Sequence, residues 1–239
     1  MIDATYKTFA QAVNAGIKDS VIPSAMRNSL DQDIFLFSAL KTHAQLLEAS
    51  RLLTDSGGNI KSFQKFSRDV ATIQRDYNEN YLEAEYQFAV SSAQSTSRWT
   101  EFEADGDRYN LQYRTAGDDR VRDSHDKLRG ITLPLNDAFW DKYFPPNGWR
   151  CRCTAVQVRK NKSDESDSGD AMAKGDAATT QIGKDEKNRL EIFRFNPGKS
   201  KVVFPPKHPY RKIQDAKKVK DQVSSGNLKK PELDDSNEQ

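Results

Sequence analysis

Three side chains that can bind a metal ion lie within residues 109–158: His125, Cys151 and Cys153. Zinc in proteins is bound by imidazole nitrogen and thiolate sulfur, usually through four ligands. A nearby carboxylate would have to complete this set, and the candidates are Asp118, Asp119 and Asp123. The alternative is a pair of small buried thiols beside a hydrogen-bonded histidine, with no metal. The sequence therefore predicts either a zinc site or a thiol–histidine cluster.

A second kind of chemistry is suggested by charged residues close to the same histidine: Asp119, Arg120, Arg122 and Arg152. Arginines bind phosphate oxygens through charge-assisted hydrogen bonds, and His125 could act as a general acid or base. This would suit a nuclease-like or toxin-like effector whose catalytic residues are Asp119, Arg120, Arg122 and His125. The stretch has no second histidine and no glycine loop to cradle a phosphate. We therefore favour a structural lattice of arginines and aspartates, and we expect no enzymatic activity.

The first half of this stretch predicts a strand followed by a helix. Alternation indicates a strand with one apolar face, formed by Tyr109, Leu111 and Tyr113. Ala116-Gly117 ends it, and Asp118 or Asp119 stands where a helix N-cap is expected. One helical face then carries Val121, His125 and Leu128. Gly130 is placed to end that helix in the left-handed conformation.

The second half predicts a short helical turn and a closing strand. Asn136 or Asp137 could cap the turn, which carries three aromatic residues: Phe139, Trp140 and Tyr143. Pro145-Pro146 cannot continue a helix, and Asn147-Gly148 is a turn pair. Residues 150–158 alternate again, which predicts a strand. The whole stretch is therefore a compact strand–helix–turn–strand unit.

The order of these features resembles the phage Mu F-like head-morphogenesis family, over roughly residues 30–158. The most specific parts are DDRVRDSH at 118–125 and PPNGWRCRC at 145–153. The motif residues in this chain are Asp119, Arg122, Gly130, Trp140, Pro145, Pro146, Trp149 and Arg152. The resemblance implies a minor head protein of a tailed phage or prophage that acts in capsid assembly, near the portal. Its partners would be portal, capsid or scaffold proteins and further copies of itself. It would be located in the host cytoplasm during assembly and then in the virion, in the head interior or portal region.

Upstream of this unit, residues 31–98 predict an antiparallel helical hairpin. Leucines recur at helical spacing between residues 31 and 54, with Asp31 or Asp33 as the cap, and a turn follows at 55–59. The second helix carries an apolar seam formed by Phe63, Phe66, Val70, Ile73, Tyr77, Tyr81, Ala84 and Phe88. We expect this seam to be core, with the alternative that part of it packs on a neighbouring subunit. Residues 1–30 are predicted to be an N-terminal arm with one short helix.

Three further segments follow the unit, which itself spans residues 99–158. Residues 159–188 are rich in small and polar residues and predict a flexible linker, since they cannot bury enough apolar surface to order themselves. Residues 189–213 predict a β-hairpin around Asn196-Pro197-Gly198. Residues 214–239 are predicted to be a basic, disordered tail. Between residues 199 and 230 ten lysines and arginines face two acids, so non-specific contact with DNA is a further expectation.

Composition sets the remaining expectations. The chain has 239 residues, 36% hydrophobic and 30% charged, with a net charge of +2. No segment has the pattern of a signal peptide or is long and apolar enough to span a bilayer, so we expect no membrane contact and reduced cysteines. The predicted fold class is α+β: an N-terminal helical hairpin, a small strand–helix–strand unit, a flexible linker and a basic C-terminal extension.

Overall fold

The computed structural model describes residues 1–18, 20–160 and 162–232, and it has an α+β fold. Nine helices are found in this part of the chain: α1 (Ile2–Ile17), α2 (Ser24–Arg51), α3 (Phe63–Arg75), α4 (Tyr81–Asp105), α5 (Asp123–Asp126), α6 (Phe139–Tyr143), α7 (Ser168–Ala178), α8 (Pro197–Ser200) and α9 (Ala216–Ser224). The three strands are β1 (Tyr109–Arg114), β2 (Thr132–Pro134) and β3 (Thr154–Arg159). None of the described helices is long and apolar enough to cross a bilayer.

Helix α1 is part of the core, so the prediction of an N-terminal arm is wrong. Tyr6, Phe9 and Val13 recur at helical spacing, and all three are buried against α2 and α4. Gly16 allows the close approach, because a Cβ at this position would overlap the Val90 carbonyl oxygen of α4. The predicted short helix is found, but a helix of this length with one apolar face is stable only when it packs on a partner, which places it in the core.

The first core is the cluster of buried residues that contains Tyr6, Phe9, Val13, Leu30, Ile34, Phe37, Leu40, Phe88, Phe193 and Phe204. Helix α2 is its central helix and begins at Ser24, directly after Pro23. The sequence predicts its start near residue 31, with Asp31 or Asp33 as the cap. Both acids instead lie inside the helix and accept hydrogen bonds from distant residues: Asp31 from the Tyr6 hydroxyl at 2.5 Å, and Asp33 from two backbone amides near residue 203. Side chains that resemble caps in the sequence are therefore tertiary acceptors.

The hairpin is confirmed, because α2 packs on α3 across a turn that pairs Thr54 with Ile60. The second arm is divided by a π-helical turn at Asp76–Asn80. Such a turn inserts an extra residue and rotates the following helix relative to a continuous α-helix. As a result Tyr77 is buried, Tyr81 is 47% exposed and Glu85 enters the core. The predicted seam is therefore wrong in part.

The seam fails most clearly in α3, which has no buried residue. Phe63 is 81% exposed, and Phe66 and Val70 are only partly covered. Core packing of the second arm begins near Ile73 and is completed along α4, where Phe88, Ala89 and Ala93 are buried. The alternative, in which part of the seam packs on a neighbouring subunit, stays a prediction.

The small unit is a three-stranded antiparallel sheet with the order β2-β1-β3. Leu111 of β1 lies opposite Leu133 of β2 and Gln157 of β3. Strand β1 is confirmed at residues 109–114, whereas β3 starts at Thr154 rather than near 150 and β2 was not predicted. The sheet and the end of α4 enclose a second core, which contains Trp99, Phe102, Leu111, Tyr113, Leu128, Leu133, Phe139, Trp140, Tyr143 and Phe144.

The predicted linker contains a packed helix and is not flexible throughout. Asp167 caps α7 by accepting a hydrogen bond from the Asp170 amide. Ala171 and Ala178 are buried in the second core, and a Cβ at Gly175 would overlap the Tyr143 ring. The helix is held by close approach of small residues, which a search for large apolar side chains does not detect.

The predicted β-hairpin at 189–213 is wrong, because this described segment forms helical turns at Glu191–Phe193, Pro197–Ser200 and Pro209–Lys212. The Asn196 side chain accepts from the amides of Gly198 and Lys199, so Asn196-Pro197-Gly198 starts a helix instead of a hairpin turn. The apolar residues of the segment enter the first core, where the Phe204 ring stacks on Phe37 with 3.7 Å between centroids.

The beginning of the predicted disordered tail is also folded. Helix α9 packs on α2, and His43 contacts the Gln214 carbonyl at 2.9 Å. Lys230 forms an ion pair with Asp31. Residues 233–239 of the predicted tail lie outside the described residues. The C-terminal extension therefore forms one wall of the N-terminal helical core.

Candidate metal centre

His125 is positioned by the short helix α5 and by the turn that follows it. The helix begins at Asp123 and its N-cap is Arg122, so the predicted capping by Asp118 or Asp119 is wrong. Gly130 adopts the predicted left-handed conformation, with φ +84°, but it does not end the helix, because α5 already ends at Asp126. The Gly130 amide donates to the Tyr113 carbonyl at 2.9 Å, which ties the turn to β1. His125 is thereby held at 2% exposure beside the sheet.

The two cysteines are positioned by the turn that leads into β3. Arg150 adopts a left-handed conformation, with φ +56°, and the Cys151 amide donates to the Gly148 carbonyl at 3.2 Å. Cys153 directly precedes Thr154, the first residue of β3. In extended backbone, residues two apart point to the same side, so both sulfur atoms face α5. Cys151 is buried, Cys153 is half-buried, and both are free thiols.

The three predicted donors converge on one point. The Sγ atoms of Cys151 and Cys153 each lie 3.6 Å from the same nitrogen, His125 Nδ1. All three donor atoms lie within 4.8 Å of one another, and no other His, Cys, Asp or Glu of the described residues joins them. A ring nitrogen has a single lone pair or a single hydrogen, so it cannot form a good hydrogen bond with both sulfurs at once.

The same spacing matches a tetrahedral metal site. Zinc bonds of about 2.3 Å to sulfur and about 2.0–2.1 Å to nitrogen, at a tetrahedral angle, place the sulfur and nitrogen roughly 3.6 Å apart. The group is therefore a His/Cys/Cys cluster that could hold a metal ion. The carboxylates considered as a fourth ligand, on Asp118, Asp119 and Asp123, are not part of it.

The two thiols influence each other's ionisation. Hydrogen bonding from Cys153 lowers the pKa of Cys151 well below its usual range, and His125 acts in the same direction. The shared hydrogen bond and burial raise the pKa of Cys153. The two thiols therefore do not ionise independently of each other.

A second layer of polar groups supports the cluster. The Tyr113 hydroxyl donates to Asn147 Oδ1 at 2.9 Å, and both side chains are fully buried. Burial holds the pKa of Tyr113 well above its usual range, so the hydroxyl stays protonated. The sequence identifies Asn147 only as a turn residue. Nothing in the sequence near Asn147 predicts its hydrogen bond with Tyr113, because this contact forms only when β1 packs against the turn that contains Asn147.

A small cavity of about 20 Å³ lies beside the cluster. Four arginines line it together with the three donors and Val121; they are Arg120, Arg122, Arg150 and Arg152. A cavity of this size admits one ion or one water-sized atom. The proposed catalytic residues Arg120, Arg122 and His125 are thus brought together, whereas Asp119 is exposed and does not line the cavity. The catalytic assignment itself stays a prediction.

Most of these arginines are bound to groups of the chain itself. Arg152 forms a bidentate pair with Asp118, with both distances 2.6 Å, and it holds the pKa of Asp118 at about 2. Arg150 pairs with Glu83 of α4 at 2.7 Å. Arg122 donates from Nη2 to the Trp149 carbonyl at 2.7 Å. The expected lattice is present, but its aspartate is Asp118 rather than Asp119, and Glu83 is a further acidic member.

The remaining motif residues connect the unit to the rest of the fold. Trp140 is fully buried in the second core. Trp149 lies at the first core, where it forms edge contacts with Phe88 and Phe193. Pro145-Pro146, which is a cis peptide, lies between these two tryptophans. The PPNGWRCRC motif therefore joins the two cores and delivers the cysteines.

Comparison with known proteins adds a family match. The model of the family described as "Phage Mu protein F like protein" matches residues 7–156. The F protein of Escherichia phage Mu, which is named for an inferred role in capsid assembly, is 32% identical over 105 residues, or 43% of this chain. The F protein of the Mu-like prophage FluMu of Haemophilus influenzae is 36% identical over 99 residues, or 38% of this chain. These matches span only 21% and 24% of the two relatives. No solved structure matches the chain.

Proposed function

We propose that this chain, which belongs to the phage Mu protein F-like family, acts in the assembly of a phage or prophage head. The observation that carries the proposal is the family match over residues 7–156, which includes most of α1, all of α2, α3 and α4, and most of the sheet unit. A role as a minor head protein near the portal, in contact with portal, capsid or scaffold proteins and further copies of itself, is part of the same proposal. The basic C-terminal region would contact packaged DNA.

The arrangement of the unit also supports a structural role. Arg152 is paired with Asp118, Arg150 is paired with Glu83, and Arg122 is bonded to a backbone carbonyl. Such bidentate and charge-assisted contacts fix geometry. Arg150 holds the turn before β3 against α4, and the contacts of Arg152 and Arg122 tie this turn to the loop before α5.

Deletion of the gene from the phage or prophage that carries it tests this proposal. We expect few complete heads by electron microscopy, and restoration when the parent gene is supplied in trans. Mass spectrometry of purified particles should detect the protein. Normal heads and normal titres in its absence would contradict a role in assembly.

The competing enzyme hypothesis is tested on purified protein. Parent protein that cleaves DNA or RNA, together with a stable but inactive His125→Ala variant, would favour a nuclease. If the role is structural, His125→Ala should instead lower thermal stability and incorporation into heads, with no cleavage by the parent. The two hypotheses therefore differ in the sign of the stability change as well as in activity.

We also propose that His125, Cys151 and Cys153 hold a zinc ion. The observation that carries this proposal is the placement of both sulfurs 3.6 Å from one nitrogen, at the spacing of a tetrahedral site. A bound zinc would join α5 to the turn before β3, and its binding free energy would add to the stability of the fold.

Metal analysis after native purification tests the zinc proposal, and about one zinc per chain is expected. Cys151→Ser and Cys153→Ser should each release the ion, because the thiolates provide two of the three ligands. Ala155→Ser is the matched control, since it adds a hydroxyl to a buried residue of β3 that is not one of the donors. Absence of stoichiometric zinc in the parent, or its retention in both cysteine variants, would remove the proposal.

A further inference from the structure

The proposed metal centre has one coordination position that no described residue fills. Zinc prefers four ligands, and structural sites are closed by four protein donors whereas open sites take a water or another ligand. The described residues bring only three donors to the group. All three donors line the same small cavity, so a fourth ligand would reach a metal held by them from that side.

The rim of this cavity is cationic. The cavity lining contains four arginines and no acidic side chain. Three of the arginines are already paired: Arg150 with Glu83, and both Arg120 and Arg152 with Asp118. Arg122 has no ion pair within the described part of the chain, and only its Nη2 donates, to the Trp149 carbonyl. Its remaining N–H groups can bind a ligand.

The position of Arg122 suits a ligand that also touches the metal. Its guanidinium lies over Gly148, where a Cβ would come within 3.5 Å of Nη1. The cavity lining brings it together with His125 and both sulfurs. A guanidinium and a metal that border the same small cavity would match two oxygens of one oxyanion.

We propose that the fourth position takes one oxygen of an external oxyanion, either a carboxylate or a phosphate, and that Arg122 binds a second oxygen of the same group. This inference rests on the metal centre proposed above. Two thiolates neutralise a divalent ion, so an anionic fourth ligand leaves one negative charge, which the Arg122 guanidinium balances. The cavity of about 20 Å³ admits a single oxygen, so the rest of the ligand stays outside at the arginine rim.

Cobalt substitution provides a direct readout. The full chain is loaded with Co²⁺, whose visible ligand-field bands report the coordination sphere and whose sulfur-to-metal charge-transfer band reports the cysteines. Acetate, inorganic phosphate and chloride are then titrated separately. We expect acetate or phosphate to shift the ligand-field bands saturably while the sulfur band is kept. Chloride should act much more weakly, because it has no second oxygen for Arg122.

Arg122→Gln is the decisive variant. It should still bind Co²⁺, but its affinity for the effective oxyanion should fall about tenfold to a hundredfold, the range for losing a hydrogen bond to a charged group. Arg129→Gln is the matched control, because Arg129 is an exposed arginine paired with Asp126 that does not line the cavity. Its oxyanion affinity should equal that of the parent.

The outcomes separate the two proposals. Failure of the parent to bind Co²⁺ would overturn both. A cobalt protein with the sulfur band, whose spectrum no oxyanion changes, would overturn this inference and leave the metal centre standing. Equal affinities in parent and Arg122→Gln, or a chloride effect as strong as that of acetate and phosphate, would overturn it too. If Arg122→Gln fails to fold, the comparison of chloride with the oxyanions on the parent still decides. A response to acetate alone would identify an acidic side chain as the ligand, and a response to phosphate alone a phosphate ester.

Discussion

Replacement of Asp33 tests whether the C-terminal extension is anchored in the core of the N-terminal helices. Asp33 lies in the middle of α2 and is 6% exposed. Its Oδ2 accepts hydrogen bonds from the backbone amides of Val203 and Phe204, both at 2.9 Å, and its Oδ1 is paired with Arg211. One carboxylate therefore binds three donors that lie far away in the sequence.

The expected cost of Asp33→Ala follows from those contacts. An unsatisfied buried donor costs about 1–3 kcal/mol. Removal of one partner of a buried ion pair costs about 3–5 kcal/mol. These costs overlap, because the extension can shift and let water reach the freed groups, so we expect a total of about 3–5 kcal/mol. Asp33→Asn keeps an acceptor oxygen but loses the charge, and its cost should be smaller.

Urea denaturation followed by circular dichroism measures this cost. With a slope of about 1–3 kcal/mol per molar urea, Asp33→Ala should lower the midpoint by at least about 1 M. Asp185→Ala is the control, since this carboxylate is 53% exposed and lies 3.9 Å from Arg189. That change should stay within about 0.5 kcal/mol. Equal midpoints for the Asp33 and Asp185 variants would refute the idea that the carboxylate anchors the extension.

Two further predictions concern groups that the sequence did not reveal. Gly175→Ala should destabilise the protein by about 1–3 kcal/mol, because the added methyl group would overlap the Tyr143 ring. The control Lys174→Ala, at an exposed neighbouring residue, should change the thermal midpoint little. Equal effects of the two changes would place α7 outside the core. Burial raises the pKa of Glu85 to about 7, so its stabilising contribution is complete below pH 4.5 and is lost as the pH rises through 7. Burial lowers the pKa of His208 to about 3, so its contribution is complete above pH 6.5 and is lost as the pH falls. Glu85→Gln removes the first of these opposing effects. The free energy of unfolding of this variant, measured by urea titration at each pH, should therefore fall more steeply than that of the parent between pH 6.5 and 4.5. Parallel plots of this free energy against pH would show that Glu85 does not titrate in this range.

Local patterns predicted the parts of the fold that depend on local interactions. The alternation in β1, the left-handed turn at Gly130 and the aromatic turn of α6 are all found, because each is set by residues near one another in the chain. The convergence of His125 with Cys151 and Cys153 was also predictable. They are the only histidine and cysteines of residues 99–158. In a unit of about 60 residues, three such side chains have few ways to be far apart.

What could not be predicted depends on distant contacts or on a change of helical register. The π-helical turn moves Glu85 into the core and Tyr81 to the surface. No residue type in the sequence predicts such a turn. Asp33 resembles a helix cap until the backbone amides that donate to it, at residues 203 and 204, are known. Near the candidate site, the choice of Asp118 over Asp119 as the partner of Arg152 depends on the path of a loop rather than on the sequence of charges.

The anchoring of α2 by residues near 203 has a consequence for synthesis on the ribosome. The contact from Asp33 to Val203 spans 170 residues. At about 5–20 residues per second, α2 leaves the ribosome roughly 10–30 s before the segment that covers it has been translated. During that interval the Phe37 ring, which later stacks on Phe204, faces water or a chaperone. The helices made first therefore reach their final packing only after most of the polypeptide exists, and slow passage through the codons between them would prolong the period in which nascent chains can aggregate.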